Sequence, residues 1–175
     1  MPTVTFQIVG LDKAIGAVRE AVLTGVDAGL GVTGARGQEL VVQNITSPYL
    51  SIPPRVATGN LAGSIAFQKT STVDISRVEI LAQPPADAYA AYVETGMGPH
   101  FPSVSALIPW VEKKFNTGDE KKAKAIAFLI ARKIAKRGVS GFGMFARALN
   151  VLQTELKGIF ERAIGEQLQR RGLGN

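Results

Sequence analysis

Between Leu11 and Leu30 the apolar residues Leu11, Ile15, Val18, Val22, Val26 and Leu30 recur three or four positions apart, with Lys13, Arg19 and Glu20 off that line. This is the period of an amphipathic helix. No proline follows Leu11 until Pro48, and Leu40, Val41 and Ile45 carry the pattern further. One long or kinked helix over about residues 11–46 is therefore expected, with Asp12 as its N-cap. Gly29, Gly31, Gly34 and Gly37 each cost about 1 kcal/mol relative to alanine inside a helix. A helix carrying them depends on packing partners, and that dependence is the strongest constraint on the fold.

The remaining chain supplies those partners. Residues Thr3 to Val9 alternate Val4, Phe6 and Ile8 with polar neighbours, the period of a half-buried strand. Ser47 to Gly59, with Pro48, Pro53, Pro54 and Gly59, reads as a loop. Gly63 to Lys69 and Thr72 to Ala82 read as a hairpin joined at residues 69–71, since Ile65/Phe67 and Val73/Ile75 alternate with polar residues. After Pro84 and Pro85, Ala86 to Glu94 is helical, and Thr95 to Pro102 breaks the helix with two glycines and two prolines. Three further helices are expected at Ser103–Phe115, Asp119–Lys136 and Phe142–Arg171. In the middle one Ala123, Ile126, Ala127, Ile130 and Ile134 form the apolar stripe, with Asp119 and Glu120 at its start and Gly138 as its stop. In the last, Phe145, Leu149, Leu152, Leu156, Ile159, Phe160 and Ile164 do so. The expected fold is α+β: a small antiparallel sheet packed with a long N-terminal helix and C-terminal helices, in one domain over residues 1–175.

Composition excludes several classes of function. Cysteine is absent, so disulfides, thiolate metal sites and thiol nucleophiles are excluded. The longest apolar run, Ala125 to Ala131, falls far short of the roughly 20 residues of a membrane span. The N-terminal MPTVTFQIVG lacks the pattern of a secretory signal, so maturation inside the producing cell is expected. Charge is uneven: residues 1–111 hold 6 Lys/Arg against 8 Asp/Glu, and residues 112–175 hold 14 against 6. A basic C-terminal third attracts phosphate or an acidic protein surface through the same field.

No catalytic constellation emerges. Gly29, Gly31 and Gly34 match the spacing of a dinucleotide fingerprint, but a helix precedes them where a strand is required. His100, the only histidine, has no partner for a metal site or catalytic dyad, and the carboxylates show no paired spacing. Lys121, Lys122, Lys124, Arg132, Lys133, Lys136 and Arg137 form a DNA-facing or subunit-facing surface, or else a solvated helix face, and no interleaved aromatic residues are expected to stack on bases. The expectation is a non-enzymatic protein without cofactor or metal.

Three segments stand in an informative order: Thr58–Ile65 (TGNLAGSI), Tyr89–Gly96 (YAAYVETG) and Arg137–Leu149 (RGVSGFGMFARAL). With the long N-terminal helix, from about Leu11 to about Ile164, they resemble the tail-completion or head-to-tail joining family of long-tailed, lambdoid-type bacteriophages, a group of minor tail components. The resemblance puts Thr58, Gly59 and Leu61 at the turn into the first hairpin strand, and Tyr89, Tyr92, Val93, Glu94 and Gly96 on a short helix and its exit. These are expected to hold the scaffold, the tyrosines by buried packing and the two glycines by closing turns. It further implies a virion protein of the neck, assembled in the host cytoplasm as a hexameric ring around the DNA channel. Its implied partners are a tail terminator or tail tube protein on one side and a head connector or stopper on the other, with channel DNA as a further contact. The alternative is a DNA-binding protein using the basic C-terminal helices.

Overall fold

The structure, a computed structural model, describes residues 11–46, 59–72 and 75–174. The expected strand at residues 3–9, the loop at 47–58 and the side chain of Asp12 lie outside the described residues. Helix α1 spans Leu11–Thr46, and the short α2, Asn60–Ser64, leads into an antiparallel hairpin of β1, Ile65–Ser71, and β2, Ser76–Ala82. Then come α3 (Asp87–Thr95), β3 (Gly96–Met97), α4 (Val104–Phe115), α5 (Glu120–Arg137), β4 (Val139–Ser140) and α6 (Met144–Arg170). The fold is α+β, with a long N-terminal helix, a small antiparallel sheet and C-terminal helices.

Two boundaries differ from expectation. Helical turns take residues 60–64, where Gly63 was expected to open a strand, because Gly59 adopts a left-handed φ of 79° and its carbonyl accepts the Gly63 amide at 2.9 Å. The hairpin connection also falls later than residues 69–71. Thr72 N donates to the Ile75 carbonyl at 2.8 Å, and the Thr72 hydroxyl accepts from Ile75 N at 3.1 Å, so β1 continues through Ser71.

The chain divides into two compact units. The first comprises Met1–Arg36, Phe67–Glu79 and Val151–Asn175; the second comprises Gly37–Ala66 and Ile80–Asn150. In the first unit, Leu30 is the one described residue of the apolar stripe that α1 buries. Ile15, Val18 and Val22 are 56%, 42% and 36% exposed, whereas Ala21, Gly25, Gly29 and Thr33, four apart, are buried. The physical reason is close approach. A methyl group added at Gly25 would lie 2.6 Å from the Cα of Ile164, and one at Gly29 would lie 2.7 Å from the ring of Phe160. The apolar bulk at this seam comes from α6, and α1 supplies the space. Ion pairs flank it: the Arg36 guanidinium donates to both Glu155 oxygens at 2.9 and 3.0 Å, and Lys69 Nζ donates to Asp27 at 2.7 Å.

In the second unit, Val111, Ala123 and Ala127 form a buried cluster, joined by Val104, Leu107, Ile108, Ile126 and Ile130. The alanines on α5 let α4 approach closely, and Ala131 extends the same buried line. Asp119 caps α5 by accepting the Lys122 amide at 3.2 Å, and Gly138 ends it. The expected α5 stripe is thus the packed face. Leu40, Val41 and Ile45, at the end of α1, are also buried here, and Asn44 Nδ2 donates to the Met144 carbonyl at 2.9 Å.

Candidate functional site

Two of the three segments that carry the resemblance meet directly, although more than forty residues separate them in the chain. The exit of α3 is extended, so Gly96 pairs with Ser140 and Met97 with Val139 as an antiparallel ladder. Phe142 N donates to the Val93 carbonyl at 2.8 Å and Gly143 N to that of Glu94 at 3.0 Å, which continues the contact past the ladder. Gly96 makes this possible. Its φ of +83° is a left-handed angle, and a methyl group there would lie 2.4 Å from the Val139 carbonyl oxygen.

Glu94 completes the junction. Its two carboxylate oxygens accept the backbone amides of Phe145 at 2.9 Å and Ala146 at 3.0 Å, at the first turn of α6. Those amides have no partner inside the helix, and the positive end of the helix dipole favours a carboxylate there. Glu94 is therefore an N-cap delivered from a remote segment.

The third segment joins them around a groove of about 560 Å³ in the second unit, lined by Leu61, Tyr89, Tyr92, Val93, Phe142 and neighbouring residues including Trp110 and His100. This corrects the expected buried packing of the tyrosines: Tyr89 is 38% and Tyr92 53% exposed, because both face the groove and not the core. Thr58 lies outside the described residues. His100 Nδ1 sits 2.9 Å from the Gly98 carbonyl, a local loop contact. Among the described residues no cluster of His, Asp and Glu could hold a metal ion, and no helix is long and apolar enough to cross a membrane. Gly29, Gly31 and Gly34 lie in the interior of α1, so the strand-to-helix turn a dinucleotide site requires is missing there.

The basic residues occupy one helix. Lys121, Lys122, Lys124, Arg132, Lys133, Lys136 and Arg137 are all exposed on α5, and none has a carboxylate within ion-pair range among the described residues. The expectation that no aromatic residue interleaves them is overturned by Phe128. It is 47% exposed between the two basic clusters, with the Phe101 ring against it at 6.4 Å between centroids. Phe128 was legible in the α5 sequence; the approach of Phe101, from the loop before α4, was not.

No family model, curated protein or solved structure matches this chain.

Proposed function

We propose that this chain is a non-enzymatic structural protein of a tailed bacteriophage, acting at the neck in tail completion or head-to-tail joining and assembling there as a ring around the DNA channel. One observation carries the proposal: the three segments that resemble the family, far apart in sequence, converge on one groove and one two-stranded junction in the second unit. An inherited module is expected to keep such segments together, and that supports this reading. The apolar side chains left bare support an assembly role. Ile15, Val18 and Leu23 on α1, and the tyrosine-lined groove, are surfaces that docking to other subunits would cover.

The test is electron microscopy of lysates from a phage carrying a stop codon in this gene, with and without complementation. Uncomplemented lysates are expected to hold filled heads and separate tails, or joined particles without infectivity. Normal infectious virions in the absence of the protein would overturn the assignment.

The rival function, duplex DNA binding, has the unpaired cations of α5 in its favour. A salt-dependent shift of duplex DNA by the purified protein at physiological ionic strength would speak for it.

A further inference from the structure

The exposed face of α5 is not uniformly charged. Lys121, Lys122 and Lys124 stand at one end and Arg132, Lys133, Lys136 and Arg137 at the other, over about 24 Å of helix at 1.5 Å per residue. Between them the face is apolar: Ala125, Phe128 and Leu129 are all exposed, Leu129 by 61%. Beside this centre lies a notch of about 430 Å³ lined by Val104, Lys121, Lys124, Ala125 and Phe128. Val104, Ala125 and Phe128 are its apolar lining, with the Phe101 ring 6.4 Å from that of Phe128, and Lys121 and Lys124 are its basic lining.

We infer that this face docks an acidic protein segment carrying a large apolar residue, the apolar residue entering the notch and its carboxylates meeting the flanking lysines and arginines. An apolar centre with a charged rim is the anatomy of a protein interface, and charge complementarity selects an acidic partner. Duplex DNA fits less well, because seating phosphates over Phe128 and Leu129 would desolvate them with no hydrogen bond in return. Successive stacked bases fit less well too: the Phe101 and Phe128 rings stand at 62°, a corner and not a platform. A second copy of this chain offers no acidic segment to this face: among the described residues Glu20, Asp27, Glu79, Glu155 and Glu161 are in ion pairs, Glu94 and Asp119 cap helices, and Asp87, Glu112, Glu120 and Glu166 lie on four different helices. The inference rests on α5 and its notch alone and is independent of the neck assignment.

The test uses fluorescence anisotropy with the full chain and four probes. They are a labelled Asp/Glu-rich peptide containing leucine and phenylalanine, the same peptide with serine at those positions, a short DNA duplex, and anionic phosphatidylserine vesicles. The apolar acidic peptide is expected to bind about tenfold more tightly than its serine counterpart, the size of effect expected of one buried anchor. Phe128→Ala should remove that tenfold preference, and Lys121→Glu with Lys124→Glu should abolish binding of both peptides. Because all three side chains are exposed, the variants should melt like the parent chain. For a variant that does not, Leu129→Ser provides the equivalent test of the apolar centre. Equal binding of the two peptides, tighter binding of the duplex or the vesicles, or no peptide binding would each overturn the inference.

Discussion

The two units use glycine in opposite ways. In the first, Gly25 and Gly29 sit in regular helix and contribute the absence of a side chain, which lets Ile164 and Phe160 of α6 press against the α1 backbone. In the second, Gly96 contributes a backbone angle, and the β3–β4 ladder and the cap on α6 follow from it. The burial of apolar side chains is equally uneven: among the described residues, the first unit holds Ala21, Leu30 and Leu152 of the buried set and the second holds the other thirteen. The first unit thus leans on backbone proximity and surface ion pairs, whereas the second has a side-chain core. Each kind of construction should fail in its own way.

Gly96→Ala is expected to have the largest effect. The left-handed angle and the 2.4 Å approach to the Val139 oxygen penalise the same added methyl group. The ladder cannot relax without parting, so a loss of about 3 kcal/mol or more is expected. Thermal melting and amide protection at Phe142 and Gly143 would report it. A shift in Tm below about 2 °C would mean that the junction does not support the second unit.

Gly25→Ala probes the first unit and should cost about 1–3 kcal/mol, the usual penalty of overpacking, because the obstructing atom is the Ile164 backbone and not a pliable side-chain tip. Gly31 is the matched control in the same helix. A methyl group there meets nothing within 4 Å, and Gly31→Ala should stabilise by about 0.5–1 kcal/mol through helix propensity. If both substitutions stabilise, the glycine seam is not a tight contact and the contrast between the units falls.

Removing the cap is a smaller perturbation. Glu94→Ala leaves the Phe145 and Ala146 amides without their acceptor and should cost about 1 kcal/mol, as N-cap deletions do. Glu94→Gln, which keeps an acceptor oxygen but not the charge, should fall between it and the parent chain. Urea denaturation would order the three proteins, and equal midpoints would show that water replaces the carboxylate at no cost.

What the sequence reveals follows the same division. Helix α5 is legible from end to end because all its cues are local: Asp119 at the cap, alanine and isoleucine at helical spacing, Gly138 as the stop. The extent of α1 is legible for the same reason, and so is the buried line Leu40, Val41 and Ile45 at its end, but the face it buries in the first unit is not. Hydrophobic period identifies a contact by the side chains that fill it, and this face is made by residues that have almost none, while Ile15, Val18 and Val22 draw attention to the exposed side. At the candidate site, Tyr89, Tyr92, Glu94 and Gly96 can be singled out from the sequence, but their work cannot. The ladder and the cap join segments more than forty residues apart, and nothing in YAAYVETG names Phe145 as the donor that Glu94 will meet. The notch on α5 likewise depends on Phe101, which comes from outside that helix.

The smallest expected effect is an acid sensitivity of the first unit. The Arg36 guanidinium donates to Glu155 and the Lys69 ammonium to Asp27, and these hydrogen bonds hold both carboxyls below their usual range, against partial desolvation. A carboxyl whose pKa is depressed in the folded state stabilises that state above its unfolded pKa, roughly 4 for these side chains. The contribution is lost as pH falls further, through the folded pKa. Stability should therefore be flat in this respect above about pH 5 and decline below it. Both pairs are solvent-facing, so the decline should be modest. Denaturation midpoints of the parent chain and of a variant carrying Asp27→Asn and Glu155→Gln, measured from pH 6 down to pH 3, isolate the contribution. The variant should start lower and fall less steeply. Parallel curves would assign the acid sensitivity to other carboxylates and would leave close backbone approach, without ion pairs, as what distinguishes the first unit from the second.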